Sequence, residues 1–412
     1  MILACGMMEE SEKIERWKQM TNFDNVRDRH QTNSAKWDGL ADRFGSDDPN
    51  LLAMWVADMD FDPAPAIKES LQDLAVNHVL GYTIPSDDFY QSQIDWYKDR
   101  HQVDLQKSDI LLSPGVVGSI GAVIQAVTGK DDGVMIHDPA YNGFIKILRA
   151  NKRKIVKSPL IIEAGKFVMD YDQIEAEFKK GEVKLFVLSN PHNPGGRVWT
   201  REELVKLADL CQEYGVYLIS DEIHIDLTYP ENKATSAYTL DEKYFDQLLV
   251  LHSATKTFNI AGVKCSAIFV KNEELKDKIQ STQALLAHSA ISSFGLVATQ
   301  AAFAQSRDWQ QNLLAYLDQN RQLIVDFFQE NLPQVDFIKP EATYLFWFDA
   351  KDIGLEGKEL EDFFTQEGQV ALVNGLNYGE TSPTWMRLNF ATSRENVQEG
   401  LNRIKSCFDK KT

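Results

Sequence analysis

The sequence predicts an α/β protein: a large domain whose mostly parallel sheet is covered by helices, and a smaller α+β domain. Three observations carry this. Between residues 109 and 270, short apolar runs alternate with helical stretches, the order that right-handed crossovers turn into a parallel sheet. Two of those runs, LFVL at 185–188 and VYLI at 216–219, are apolar throughout, as strands buried on both faces must be. Past Lys271 the alternation stops, and helical stretches continue to about residue 331 before mixed signals follow.

Taken in order, residues 1–21 read as an N-terminal extension, polar, charged and helical. Residues 22–50 are irregular and close on Gly45-Ser46-Asp47-Asp48-Pro49, a loop signature. The run 51–61 (LLAMWVADMDF) is apolar yet carries Asp58 and Asp60. It is either a strand with an edge turn or a loop lining a site, because Trp55 and an acid together offer an apolar wall and a polar handle. Pro63 and Pro65 restart the chain into a helix over 66–74. Gly81-Tyr82-Thr83 precedes an amphipathic helix over 89–100.

Strands follow at 109–113, 133–137, 184–189, 216–220, 247–252 and 266–270, with helices from Gly115, over 142–150 and from Thr200. Thr200 and Glu203 form a capping box. Beyond them lie a long helix at 309–330, a strand at 343–349, a helix at 358–367 and a strand at 385–390. A last helix starts at Thr392 or Ser393 with Glu395 as its capping partner. The expected division is 61–300 for the large domain and 22–60 with 301–412 for the small one.

Composition excludes several classes. The 412 residues carry a formal net charge of −18, which disfavours nucleic acid or an anionic membrane as main partner. Four cysteines lie far apart with no CxxC pair, which fits a reducing compartment and no structural zinc. No apolar run approaches membrane-spanning length, and the opening MILACGMM is too short for a signal peptide. A cytoplasmic protein is expected.

Five polar motifs follow five of the buried strands: Ser113-Pro114-Gly115, Asp138-Pro139-Ala140-Tyr141, 190–196 (NPHNPGG), Asp221-Glu222-Ile223-His224 and Ser253-Ala254-Thr255-Lys256. In a parallel sheet the carboxyl ends of the strands share the edge where ligands bind. Any one motif could be a turn or a cap; all five being so is much less expected. Gly115 opens a helix at Val116 and Val117, and a free helix N-terminus suits phosphate. The glycine spacing matches neither a dinucleotide fingerprint nor a Walker A loop. Lys256, just past a buried strand, is costly there unless it meets an anion or forms a Schiff base. Asp221 at the same edge wants a cation, either a metal shared with His224 and Asp226 or a protonated ring nitrogen. No further His/Asp cluster supports the metal. Tyr141 is equally a stacking partner for a flat ring or an edge tyrosine.

The set 189–196, 221–224, Ser253, Lys256 and Arg387 resembles the fold-type I pyridoxal-phosphate enzymes, the aspartate aminotransferase superfamily. Within it, 55–61 (WVADMDF), 221–227 (DEIHIDL) and 387–389 (RLN) are similar to the cystathionine β-lyase branch. The resemblance runs from about Asn22 to the C-terminus. It implies an aspartate aminotransferase-like fold and pyridoxal 5'-phosphate as cofactor.

Lys256 would carry the cofactor as a Schiff base and, once freed, remove the substrate Cα proton. Asp221 would pair with the ring nitrogen, Tyr141 would stack, and Asn193 and His224 would reach the ring's polar edge. Gly115, Val116 and Val117, with Ser253 and Lys264, would hold the phosphate. Arg387 would bind the substrate α-carboxylate, with Trp55 and Asp58 on the side-chain side. Tyr82 would reach the neighbouring subunit's site, implying a homodimer. Many aminotransferases carry tyrosine where His224 stands, which favours a lyase releasing pyruvate, ammonia and a thiol: homocysteine from cystathionine, hydrogen sulfide from cysteine. An aminotransferase using the same residues is the alternative.

Overall fold

The computed structural model describes residues 22–411; the expected extension at 1–21, with Cys5, lies outside them. The strands, in chain order, are β1 (Leu52–Ala53), β2 (Ile110–Ser113), β3 (Gly133–Asp138), β4 (Lys154–Glu163), β5 (Lys166–Met169), β6 (Val183–Ser189), β7 (Tyr217–Asp221), β8 (Leu248–His252), β9 (Ser266–Phe269), β10 (Phe337–Ile338), β11 (Leu345–Asp349), β12 (Val370–Ala371), β13 (Val373–Asn374) and β14 (Trp385–Asn389).

Eight of them form one sheet in the order β2-β9-β8-β7-β6-β3-β4-β5. The run β8-β7-β6-β3-β4 is parallel, as the alternation predicts. Only β9 and β5 run against their neighbours. Alternate residues of β8 serve two cores: Leu248 and Val250 belong to one apolar cluster, Leu249 and Leu251 to the other. Each such fully buried side chain contributes roughly 1.5–3 kcal/mol, so the strand stabilises the layers on both sides of the sheet.

Because β9 is antiparallel, its first residue, Ser266, pairs with the last residue of β2, Ser113. Lys264 therefore reaches the same sheet edge as the carboxyl ends of β2, β3, β6, β7 and β8. The smaller sheet is β10-β11-β14-β13, antiparallel throughout. Arg387 is central in it, paired with Trp347 on one side and Val373 on the other. β1 pairs in parallel with β12 and delivers the following residues to the foot of β14, where the Asn389 N–H donates to Met54 O at 2.9 Å.

Most helices start where the sequence signals place them. Thr200 and Glu203 cap the helix Arg201–Tyr214 reciprocally. The last helix, Arg394–Asp409, departs from expectation: Ser393 is the N-cap and accepts from the Asn396 N–H at 3.2 Å, so Glu395 falls one residue short of the capping position. The hairpin β4–β5 has no counterpart in the sequence reading. Its strands lie at the sheet edge, and their mixed burial gives no clean period.

Residues 51–61 are a two-residue strand followed by irregular chain, so the lining-loop alternative is the one realised. One ion pair anchors that loop: Lys36 Nζ donates to Asp60 Oδ2 at 2.8 Å with both side chains buried. Asp60 Oδ1 also accepts from Trp37 Nε1 at 2.9 Å and Arg29 Nη1 at 3.1 Å. Removing one partner of a buried pair leaves an uncompensated charge. Lys36→Met is expected to cost about 3 kcal/mol, measured by urea unfolding; a loss within error of zero would show that Arg29 alone neutralises Asp60.

Candidate active site

A cleft of about 650 Å³ opens at the carboxyl edge of the large sheet, between it and the smaller sheet. It is lined, among others, by Trp55, Gly115, Val116, Val117, Tyr141, Asn193, Asp221, His224, Lys256, Lys264 and Arg387. Eleven of the fourteen positions singled out from sequence thus converge on one cavity.

The large-domain wall is built first. Gly115, with φ +102°, is the N-cap of the helix Val116–Val127, and no side chain caps that helix. A residue with a Cβ is strained at such φ. The first free N–H groups of the helix therefore have no acceptor among the described residues, and Lys264 lines the same cleft. Helix dipole and amide donors make this an anion site. Tyr141 ends the β3 turn, and its ring is placed by Gly143, where a Cβ would lie 2.2 Å from it.

At the end of β7, Asp221 Oδ1 accepts only from the Ile223 N–H, at 3.2 Å. Burial pushes its carboxyl up to about 7; the Ile223 bond opposes this, Glu222 adds to it and Lys256 opposes it. His224 is held down to about 3 by burial and by the Lys256 and Arg387 charges, so it is a neutral ring. Its Nδ1 has no partner among the described residues. Burial also raises the Tyr141 hydroxyl, with Asp221 adding and Arg387 opposing.

Lys256 follows β8 on the short helix Ala254–Thr257. Its Nζ donates to the carbonyl of Ala57 at 2.5 Å. Burial pushes the ammonium down to about 8; Asp58 opposes, Arg387 adds and Asp221 opposes. Arg387 is buried, donates from Nη2 to Trp55 O at 2.5 Å and from Nη1 to Asn193 Oδ1 at 3.4 Å, and lies 5.0 Å over the Tyr378 ring. Its Nε has no partner among the described residues.

Three predicted site residues do not line the cleft. The Asp58 carboxylate turns the other way, into a bidentate pair with Arg29 at 2.7 and 3.1 Å, in a separate small cleft. From there its charge acts on Lys256. Ser253 is buried as the N-cap of Ala254–Thr257; its Oγ donates to Cys265 O at 2.6 Å and accepts from the Thr255 N–H at 3.2 Å. Tyr82 stands fully exposed, away from this chain's own cleft. The metal alternative also fails geometrically: Asp226 does not meet Asp221 and His224 but accepts from Trp96 Nε1 and pairs with His101 and His252.

Several residues were missed. Tyr344 OH donates to Ala57 O at 3.0 Å, and its ring meets His224 edge-on at 6.1 Å. Asn389 Nδ2 donates to Val56 O and Asp58 O. Asn259 holds Met59 through both its amide groups. Most of these act on backbone carbonyls, for which a sequence has no signal. Tyr344 sits in an aromatic stretch that reads as core, TYLFWFD, while Tyr378 stands alone in a polar stretch with no motif around it.

The unmet donors and acceptors describe their guest. Free helix amides with a lysine fit a phosphate, a depressed amine fits an aldehyde, an uncompensated buried acid fits a basic ring nitrogen, and a buried guanidinium fits a carboxylate.

Comparison with known proteins agrees. The pattern of the class I and II aminotransferases matches residues 50–404, and the chain belongs to that family. Over 387 residues it is 36% identical to cystathionine beta-lyase PatB of Bacillus subtilis (strain 168), covering 94% of this chain and 100% of that one. It is 32% identical over 393 residues to protein MalY of Escherichia coli (strain K12), covering 93% and 97%. The crystal structure of cystalysin from Treponema denticola, which contains pyridoxal 5'-phosphate, matches with a TM-score of 0.91 at 29% identity, covering 94% and 99%. A PLP-bound C-S lyase from Staphylococcus hominis matches at 0.86 and 31%, covering 94% and 98%.

The Lys256 shift has a sign that can be checked on the cofactor-free protein. Between pH 8 and 10.5 the unfolded chain binds the proton that the folded chain has released. Stability from this group therefore rises with pH across that window. Relative to Lys256→Met, the wild type is expected to gain about 2 kcal/mol between pH 8 and 10, read by urea unfolding at both values. Parallel curves for the two proteins would refute the depressed amine.

Proposed function

We propose that this chain is a pyridoxal-5'-phosphate-dependent carbon–sulfur β-lyase, cleaving the Cβ–S bond of cystathionine- or cysteine-type amino acids. The observation that carries it is the meeting of Lys256, Asp221, Arg387 and a free helix N-terminus in one cleft. The lyase rather than transferase reading is supported by relatives named for cystathionine and C–S bond cleavage.

Gly115, Val116 and Val117, through backbone N–H groups, and Lys264 bind the phosphate. Asp221 keeps the ring nitrogen protonated, and Tyr141 stacks on the ring. Asn193 and His224 meet its polar edge, with His224 donating rather than bearing charge. The cofactor, when bound, supplies an electron sink for the pair left at Cα.

Arg387 orients the substrate by its α-carboxylate, a bidentate task for which lysine is a poor replacement. Lys256 takes the Cα proton; an amine poised near 8 is matched to that work at neutral pH. The Cβ–S bond then breaks with its electron pair going to sulfur, and the thiol departs. Water completes the balance, so one substrate and one water give thiol, pyruvate and ammonia. Trp55 walls the side-chain end.

The exposed apolar side chains Val79, Leu80, Tyr82, Ile84 and Leu285 support a homodimer in which Tyr82 completes the partner's site. Among the described residues no helix is long and apolar enough to cross a membrane. The three described cysteines, Cys211, Cys265 and Cys407, are unpaired and buried. Both fit the cytoplasmic location expected from sequence.

Reconstitution with pyridoxal phosphate is expected to give a visible absorbance band that Lys256→Ala abolishes; a colourless wild-type protein would sink the cofactor assignment. With cystathionine, pyruvate should accumulate without added keto acid. Turnover that requires 2-oxoglutarate and yields no pyruvate would instead make the chain an aminotransferase.

Dimer sharing has its own readout. Tyr82→Ala and Arg387→Ala should each be nearly inactive, and co-refolding them should restore a fraction of activity, because a mixed dimer holds one intact site. No recovery on mixing would place Tyr82 outside the site.

A further inference from the structure

The proposed reaction needs Arg387, on β14 of the small sheet, at a fixed distance from Tyr141, Asp221 and Lys256 at the edge of the large one. The connection from β13 to β14, residues 375–384, spans that gap. It leans on one side chain of the large sheet, Asp138, the last residue of β3.

Asp138 is buried, and a buried carboxylate is costly without donors. The connection supplies most of them. Asp138 Oδ2 accepts from the Glu380 N–H at 3.1 Å, and Oδ1 accepts from the Thr381 N–H at 3.4 Å and from the Thr381 hydroxyl at 2.8 Å. Lys157 Nζ lies 3.3 Å from Asp138 Oδ2 and 2.8 Å from Glu380 Oε1, so it ties the same two segments. The close approach requires Gly379: a Cβ there would lie 1.7 Å from Asp138 Oδ1. Beside this contact the Ala140 N–H donates to Tyr378 O at 2.7 Å. Tyr378 is the bed of Arg387, whose guanidinium lies 5.0 Å over the ring. That ring meets Trp347 edge-on at 5.4 Å, and Trp347 stacks on Trp385 at 5.7 Å. Tyr141 follows Ala140 directly. One turn of the large sheet therefore carries both Tyr141 and the fastening of the bed under Arg387.

We infer that Asp138 is a positioning residue for substrate binding: by clamping residues 378–381 to the β3 turn, it sets where Arg387 stands relative to Tyr141 and Lys256. The inference rests on Arg387 taking the substrate α-carboxylate, and it holds for a lyase and an aminotransferase alike. Asp138 is not among the residues that line the cleft; it acts through Tyr378. Lifting the connection away would leave its carboxylate with Lys157 alone, and the cost of those unmade bonds holds the clamp closed. A guanidinium makes both bonds to a carboxylate only in one plane and at one distance. A small displacement of its bed therefore weakens substrate binding.

The test titrates the holoenzyme with L-alanine and with L-alaninamide, following the cofactor absorbance. Neither has a leaving group at Cβ, so the readout is binding rather than turnover. Comparing the carboxylate-to-amide ratio between proteins cancels the difference in basicity of the two amines. The wild type is expected to prefer the carboxylate, and Arg387→Ala to lose that preference. Thr381→Val, an exposed change, removes one bond to Asp138 and should cut the ratio roughly three-fold. Thr381→Ser keeps the hydroxyl and should restore it. Asp138→Ala removes the acceptor of every bond and should cut the ratio roughly ten-fold or more. A ratio that Asp138→Ala leaves unchanged, while Arg387→Ala abolishes it, overturns the clamp and leaves the role of Arg387 standing. An equal fall for alanine and alaninamide marks a general loss of structure and also overturns it. No preference in the wild type overturns the clamp together with the role of Arg387. Absence of thiol release from cystathionine would sink the lyase reading alone, since the binding ratios still decide the clamp.

Discussion

Two cations of the site are held by carbonyl oxygens of a single turn. Trp55 O takes Arg387 and Ala57 O takes Lys256, and the geometry of the cleft depends on that turn being fixed. A carbonyl positions a cation without neutralising it. A carboxylate in the same place would hold Lys256 protonated and would neutralise Arg387. The turn is itself secured from every side: β1 pairs with β12, Asn389 takes Val56 O and Asp58 O, Tyr344 shares Ala57 O, and Asn259 brackets Met59. The buried Lys36–Asp60 pair closes its far end. Much of the small domain's contribution to the site is the rigidity of these few peptide groups.

The acids of the turn complete this division. Asp58 and Asp60 point away from the cleft, to Arg29 and Lys36. The Asp58 charge reaches Lys256 at a distance, opposing burial, but leaves the amine below its ordinary value. Asp221 is in the complementary position: buried, bonded only to the Ile223 N–H, and pushed up to about 7. One acid and one base therefore both sit near their midpoints at neutral pH, each moved there chiefly by burial, which outweighs their mutual attraction.

The parts legible from sequence are those that residue type alone decides. Both-face burial makes LFVL and VYLI parallel strands, the parallel sheet puts their ends on one edge, and Lys256, Asp221, Tyr141, Asn193 and Gly115 follow from that edge. What stayed hidden runs through the main chain. Nothing in the letters of Val56 or Ala57 says that their carbonyls meet Asn389 and Lys256. Asp58 was misplaced for a related reason: an acid two residues from another acid, in a loop beside a tryptophan, suggests the cleft, and only Arg29 and Lys36 in the irregular stretch before it reveal where it turns. The resemblance gives Ser253 to the phosphate, and in the structure its side chain caps the four-residue helix Ala254–Thr257. The β4–β5 hairpin had no period to read.

The charge pattern bears on how a substrate is chosen. The chain as a whole repels anions, and at physiological salt that repulsion is screened beyond about 8 Å. Long-range steering of an anionic substrate is therefore weak or unfavourable, and discrimination has to occur inside the cleft, at contact. There the sign reverses: five cations line the walls against one carboxylate. Field lines from such a group are concentrated in a low-dielectric crevice, so each added negative charge on a ligand is rewarded only once it is within the walls. An enzyme arranged this way gains selectivity from the number and spacing of a substrate's charges rather than from its rate of encounter. The lining cations come from the chain ahead of β1, the helix after Tyr141, the β8–β9 connection and β14, so that spacing is set by how the small sheet closes on the large one.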